Sequence, residues 1–92
     1  MDTSLKKFPL GQVVATQGVI ATIAGDEMMR ALDRHAHGDW GDVPPEDAQE
    51  NDLSLREGFR LLSAYTSSAG VKFWIITEAD RSATTFLLPD EY

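Results

Sequence analysis

Phe59-Arg-Leu-Leu-Ser-Ala-Tyr-Thr66, then Ser67-Ser-Ala-Gly70, then Val71-Lys-Phe-Trp-Ile-Ile-Thr-Glu-Ala-Asp-Arg-Ser-Ala-Thr-Thr-Phe-Leu-Leu88: this stretch decides the fold. It holds three runs rich in β-branched and aromatic residues, separated by two short turn signals, the pattern of an antiparallel meander. Period two sends Val71, Phe73 and Ile75 to one face and Lys72, Trp74 and Ile76 to the other. Both faces are therefore partly apolar. One is expected to take the helices; the other is left to a Trp74-centred surface or to cover by the N-terminal segment.

Upstream, residues 10–16 carry the β-branched pair Val13-Val14 and read as a short strand. Residues 17–24 place Ile20, Ile23 and Ala24 at helical spacing, and a short helix is expected there. Asp26 is read as the N-cap of a second helix over 26–36, whose stripe is Met28, Leu32 and His35 with Met29 and Ala36 beside it. Gly38 ends that helix. Pro45 suits the first turn of a third helix over 45–57, where Glu46 and Asp47 favour its N-terminus and Gly58 closes it. Its inner stripe is expected to be Ala48, Asn51, Asp52 and Leu55. Pro89 stops the last strand. The fold class is thus α+β: a three- to four-stranded antiparallel sheet in the order β-α-α-α-β-β-β, helices on one face, one domain over residues 1–92 with 1–7 frayed.

Charge narrows the function. The formal net charge is -7. Asp39, Asp42, Glu46, Asp47, Glu50, Asp52 and Glu57 stand against Arg56 alone, so this one segment carries -6 of it. Direct nucleic-acid binding, which needs clustered Lys and Arg, is not expected. A partner protein with a basic surface is, although a solvated charge run that keeps a small domain soluble gives the same composition. Glu46, Glu50 and Glu57 share the face opposite the inner stripe, with Leu53 next to them as a contact residue. The chain has no cysteine and no apolar run near the length of a membrane helix. With a polar N-terminus it reads as cytoplasmic, with no membrane partner.

No Gly-x-Ser-x-Gly, phosphate loop or dinucleotide fingerprint occurs. His35, His37, Asp39 and Asp42 lie close in sequence and could serve a metal or an acid–base pair. His35 falls on the apolar stripe, however, and His37 points elsewhere, so a buried or capping histidine is the simpler reading, with no metal and no cofactor. Arg81 either serves its own turn or clamps a carboxylate or phosphate. Gly38, Asp39, Trp40 and Gly41 form a loop in which the tryptophan, with no bulky neighbours to shield it, is expected to fold onto the core while Asp39 bonds backbone amides.

At His35-x-x-Gly-Asp-Trp-Gly41, Leu61-Leu-Ser-Ala-Tyr65 and Trp74-Ile-Ile-Thr-Glu-Ala-Asp-Arg-Ser82 the chain resembles a family of small bacterial proteins found on plasmids and integrated mobile elements, commonly labelled plasmid-related. The resemblance extends to Phe8-Pro-Leu-Gly-Gln-Val-Val-Ala-Thr16 and Leu87-Leu-Pro-Asp-Glu-Tyr92, and departs at residues 17–26. It implies a genomic setting and no established activity. Small acidic proteins of such elements are often inhibitors of host defence, and by that analogy of setting an anti-restriction or anti-CRISPR role is expected. The sequence thus supports a non-enzymatic protein-binding module, with Glu46, Glu50, Leu53, Glu57, Trp74 and Arg81 as contact candidates. A small enzyme or metal-dependent protein built on His35 and Asp39 is the alternative. A homodimer through a sheet edge or the Trp74 face is a third.

Overall fold

The computed structural model describes residues 6–92, so Met1 and the rest of the first five positions, part of the expected frayed lead-in, lie outside the described residues. Strand β1 (Gln12–Ala15) leads into helix α1 (Gln17–Thr22) and helix α2 (Gly25–Ala36). Helix α3 (Pro45–Glu57) follows, then strands β2 (Leu61–Thr66), β3 (Lys72–Thr77) and β4 (Ala83–Leu87) and a closing 3₁₀ turn, Pro89–Glu91. The meander is present, with Ser63 opposite Ile75 and Ile75 opposite Phe86. β1 joins it beside β4 and parallel to it, so the sheet runs β1-β4-β3-β2 and is mixed.

Local chemistry sets the helix ends. Thr16 caps α1, its hydroxyl accepting from the Val19 N–H at 3.3 Å. α3 opens with Pro45 in its first turn and ends at Gly58, whose φ of 81° supplies the left-handed residue such an end needs. The start of α2 departs from expectation. Ala24, not Asp26, stands at its N-cap, with no side-chain cap bond. Asp26 sits inside the first turn, where its charge still suits the helix dipole, and its carboxylate turns to Arg30 one turn on, at 3.2 Å.

One face of the sheet is sealed. Leu61, Ser63, Tyr65, Phe73, Ile75, Thr77, Thr84 and Phe86 point inward and are all buried. Val19 of α1, Ile23 at its C-terminal cap and Ala31 of α2 pack on Tyr65, Phe73, Ile75 and Phe86, while Phe8, Leu10, Ala36, Trp40 and Leu61 form a second cluster toward α3. Beside the α2 stripe the structure separates two residues: Ala36 is buried, whereas Met29 is exposed. In α3 the inward residues are Ala48, Asn51, Ser54 and Leu55; Asp52, placed inward by the sequence pattern, is exposed at the helix flank. Among the described residues no helix is long and apolar enough to cross a membrane.

The β2 edge of the sheet is closed by two devices. The antiparallel register turns the backbone groups of Leu62 and Ala64 away from β3. The Asn51 side chain meets those of Leu62 as a strand would, donating to its carbonyl at 2.7 Å and accepting its N–H at 3.1 Å. Ala64 is met by the loop after α2: its N–H donates to the Trp40 carbonyl and its carbonyl accepts from the Asp42 N–H. Gly41 makes that approach possible, because a Cβ there would collide with the Ala64 carbonyl and the Tyr65 ring. Asn51→Leu leaves both Leu62 groups without protein partners, and urea denaturation should show a loss of about 1–3 kcal/mol. An unchanged midpoint would mean that water serves this edge as well as the amide does.

Candidate functional site

His35 projects from the last turn of α2 into the middle of the sheet and is 0% exposed. Its Nδ1 lies 2.5 Å from the Ser63 hydroxyl and its Nε2 2.9 Å from that of Thr77. Thr77 meets Thr84 at 2.7 Å, and Thr84 donates to the Leu10 carbonyl at 2.7 Å. The directions follow from the end of this chain. A carbonyl only accepts, so Thr84 donates outward and its oxygen receives the Thr77 hydroxyl. Thr77 then receives Nε2–H, which leaves Nδ1 to accept from Ser63. The network is complete with a neutral ring. Burial, aided by the charge of Arg81, lowers the imidazole pKa from 6.5 to about 4.

Trp40 covers this network and is 5% exposed. Its indole meets the His35 ring edge-on at 5.7 Å and stacks with Phe8 at 6.3 Å. Its Nε1–H donates to Asp52 at 3.0 Å, which explains why an exposed carboxylate on α3 leans toward the core. Asp39 holds the loop from the other side. Its carboxylate takes Arg34 at 2.8 and 3.3 Å and the Gly41 N–H at 3.2 Å. Arg34 bonding keeps Asp39 below the usual carboxylate range. The Arg34 guanidinium lies over the Tyr65 ring, and the Tyr65 hydroxyl donates to the Asp39 carbonyl at 2.6 Å. Burial pushes that phenol up to about 12, so it stays a donor.

The structure does not bring the acid–base candidates together in the open. His35 is spent on Ser63 and Thr77, Asp39 on Arg34 and Gly41, and His37 turns back to its own helix, Nδ1 donating to the Asp33 carbonyl at 2.7 Å. Among the described residues no group of three or more His, Asp or Glu side chains is arranged to hold a metal. Arg81 serves the backbone. It donates to the carbonyls of Phe59 at 2.6 Å and Ser54 at 3.1 Å, and to Glu78 and Ala79 in its own turn. It is also the one non-glycine among the described residues with positive φ, 62°. The hairpin turn wants a left-handed residue there, and the carbonyls at the α3 end hold the long cation in that conformation.

Trp74 lies half-buried on the outer sheet face, its ring edge-on to Tyr92 at 5.7 Å. Arg60 bonds both the Tyr92 hydroxyl and Glu78, at 3.0 Å each, and so folds the C-terminal turn over this face. The acidic candidates are placed differently. Glu46, Glu50 and Glu57 are exposed along the outer face of α3, and Leu53 beside them is 39% exposed. Among the described residues none of these three carboxylates makes a hydrogen bond or ion pair, whereas Asp26, Asp39 and Glu78 each hold an arginine.

Several residues that carry the structure were not singled out by sequence. Ser63, Thr77 and Thr84 look like ordinary strand residues. The available signal was register, since period two places them on the same face as Tyr65, Phe73 and Phe86. Glu91 gave no signal. Its carboxylate accepts from the Thr16 hydroxyl at 2.6 Å, the Gly18 N–H at 3.2 Å and the Leu88 N–H at 2.8 Å, fastening the start of α1 to the chain's end. Comparison of the chain with protein-family models, curated proteins and solved structures finds no match.

Two outcomes are expected. Trp40→Ala should cost about 3–5 kcal/mol in urea or thermal unfolding, since it empties the space above His35 and leaves the loop unanchored. An unchanged melting temperature would make Trp40 a surface contact instead. The lowered pKa of His35 means that below pH 6.5 the unfolded chain binds a proton that the folded one refuses. Stability is then full above about pH 6.5 and falls as pH drops toward 4, by up to about 3 kcal/mol. His35→Gln should flatten the slope of stability against pH between 6.5 and 4.5, whatever its effect on stability at pH 7. An equal slope in both proteins would place the titration elsewhere.

Proposed function

We propose that this chain is a non-catalytic protein-binding module whose contact surface is the outer face of α3, and that its partner presents a basic surface. The observation that carries the reading is the set of unpartnered carboxylates, Glu46, Glu50 and Glu57, grouped about an exposed Leu53. At 100° per residue these four side chains fall within about 60° of helix circumference. Four of the five arginines are engaged elsewhere, Arg30 with Asp26, Arg34 with Asp39, Arg60 with Glu78, and Arg81 with carbonyls, which leaves Arg56 of α3 itself as the one cation beside three carboxylates. The α3 face therefore projects a net negative field on a rigid helix. Such a field accelerates encounter with a positive surface and fixes its orientation, while the leucine adds apolar contact that salt does not screen.

The resemblance to plasmid and mobile-element proteins supplies the setting. In it the partner is a host defence protein, a restriction or CRISPR complex, whose nucleic-acid channel is basic because it must hold phosphates. An acidic helix face that occupies such a channel blocks it with no chemistry of its own. This step rests on setting and charge.

The test pairs wild type with Glu46→Lys/Glu50→Lys/Glu57→Lys, after thermal melts have shown both to be folded. Wild type should bind a purified restriction or CRISPR complex and slow its DNA cleavage. Binding should weaken at least tenfold between about 0.05 and 0.3 M salt, and the triple variant should lose it. Binding that survives the charge reversal would move the contact off α3. No inhibition of any such complex at low salt would remove the defence partner from the proposal.

A further inference from the structure

The two edges of the sheet are treated differently. The β2 edge is closed by Asn51 and by the Trp40–Asp42 backbone. At the other edge lies β1, and no strand or loop among the described residues pairs with its outer side. The parallel register shows which groups are left. Gln12 and Thr16 donate inward to Ser82 and Phe86. Alternation then turns the N–H and C=O of Val13 and Ala15 outward, into solvent. The side chains of Val13 and Val14 are 41% and 40% exposed, and Ile20 in the following helix is 58% exposed.

Apart from its shortness, four residues, β1 lacks the usual protections of an open edge. Natural edges carry lysine, other inward charges, proline or a bulge. No charged residue occurs between Lys7 and Asp26, in a chain where a quarter of the residues are charged. The longest neutral run of the protein thus folds as the strand and short helix at its only open edge among the described residues.

We infer that this edge is the contact between two copies of the chain, with β1 pairing antiparallel to β1 of its partner across a two-fold axis. The charge pattern selects this occupant. The one carboxylate near the edge, Glu91, is held by Thr16, Gly18 and Leu88, so a basic protein finds little to bind there, whereas a second copy finds the least repulsive side of a chain of net charge -7. The backbone pattern is self-complementary. With the axis at Val14, the outward groups of Val13 face those of Ala15 in the partner and the reverse, giving two pairs of hydrogen bonds. The two Val14 side chains then meet in the non-hydrogen-bonded position, where strands bring Cα atoms to about 4.5 Å. Val14 lies on the outer face, in one row with Thr85, Ile76 and Leu62. Pairing would therefore join two four-stranded sheets into one, with both helix layers on the same side.

Sedimentation velocity over about 1 to 500 µM measures this equilibrium directly. Wild type should show a concentration-dependent dimer that salt preserves or strengthens by screening the net charge, opposite in sign to the salt effect expected for a basic partner. Val14→Lys should be monomeric throughout, with the thermal stability of the wild-type monomer at low concentration. Val14→Glu alone should also be monomeric, and mixing it with Val14→Lys should restore a mixed dimer, because only pairing centred on Val14 sets the two substitutions against each other. A wild-type monomer at the highest concentration would overturn the inference. So would a dimer indifferent to Val14→Lys, or variants that fail to recombine.

Discussion

Helix α2, three strands and the lead-in to β1 meet at one buried imidazole. His35 comes from α2, Ser63 from β2, Thr77 from β3, Thr84 from β4, and Leu10 from the segment that leads into β1. A buried donor or acceptor left without its partner costs about 1–3 kcal/mol, so each of these elements is constrained by the others. An apolar core of the same volume would tolerate sliding of the helix along the sheet. A hydrogen-bonded chain with fixed direction does not. Phe8 and Trp40 keep water from it, and the Trp40 loop is in turn held by Asp39, Arg34 and the Ala64 N–H and carbonyl at the sheet edge.

The same loop links interior to surface. Its backbone closes the β2 edge at Ala64, and its indole draws Asp52 inward. The second contact ties the loop to α3, whose outer face carries carboxylates with no partner among the described residues. The charge that the sequence concentrates between residues 39 and 57 is therefore divided by the fold. Asp39 and Asp52 hold the loop, and Asp42 accepts the Thr66 hydroxyl at 2.9 Å. Glu46, Glu50 and Glu57 make no hydrogen bond or ion pair among the described residues. The neutral β1 edge stands at the far side of the sheet from α3, so a contact made at one leaves the other accessible.

The meander and the third helix were legible because their signals are local. Ser-Ser-Ala-Gly between two β-branched runs makes a turn, and proline, acids and glycine mark the α3 bounds within a few residues. The burial of His35 and Trp40 was legible for the same kind of reason, a helical stripe and a tryptophan between glycines. The start of α2 was not. Asp26 satisfies an N-cap pattern, but Ile23 and Val19 must reach the core, and that need begins the helix at Gly25. Asp52 likewise lay on the expected inner stripe, but it sits exposed at the flank and reaches inward only as far as the Trp40 indole N–H.

The sequence by itself determined which segments form helices and strands, where the negative charge lies, and which large side chains must be buried, because propensity, periodicity and capping act over a few residues. The tertiary structure alone decided what those segments do together. β1 could have paired anywhere; seventy residues later in the chain it lies parallel to β4, where Glu91 and the Leu10 carbonyl fasten it. Arg81 could have served a ligand; carbonyls 22 and 27 residues away claim it. Ser63, Thr77 and Thr84 become a network only when three strands and a helix stand in register around one ring. Each of these outcomes depends on a partner distant in sequence, and the residues themselves carry no local mark of which partner it will be.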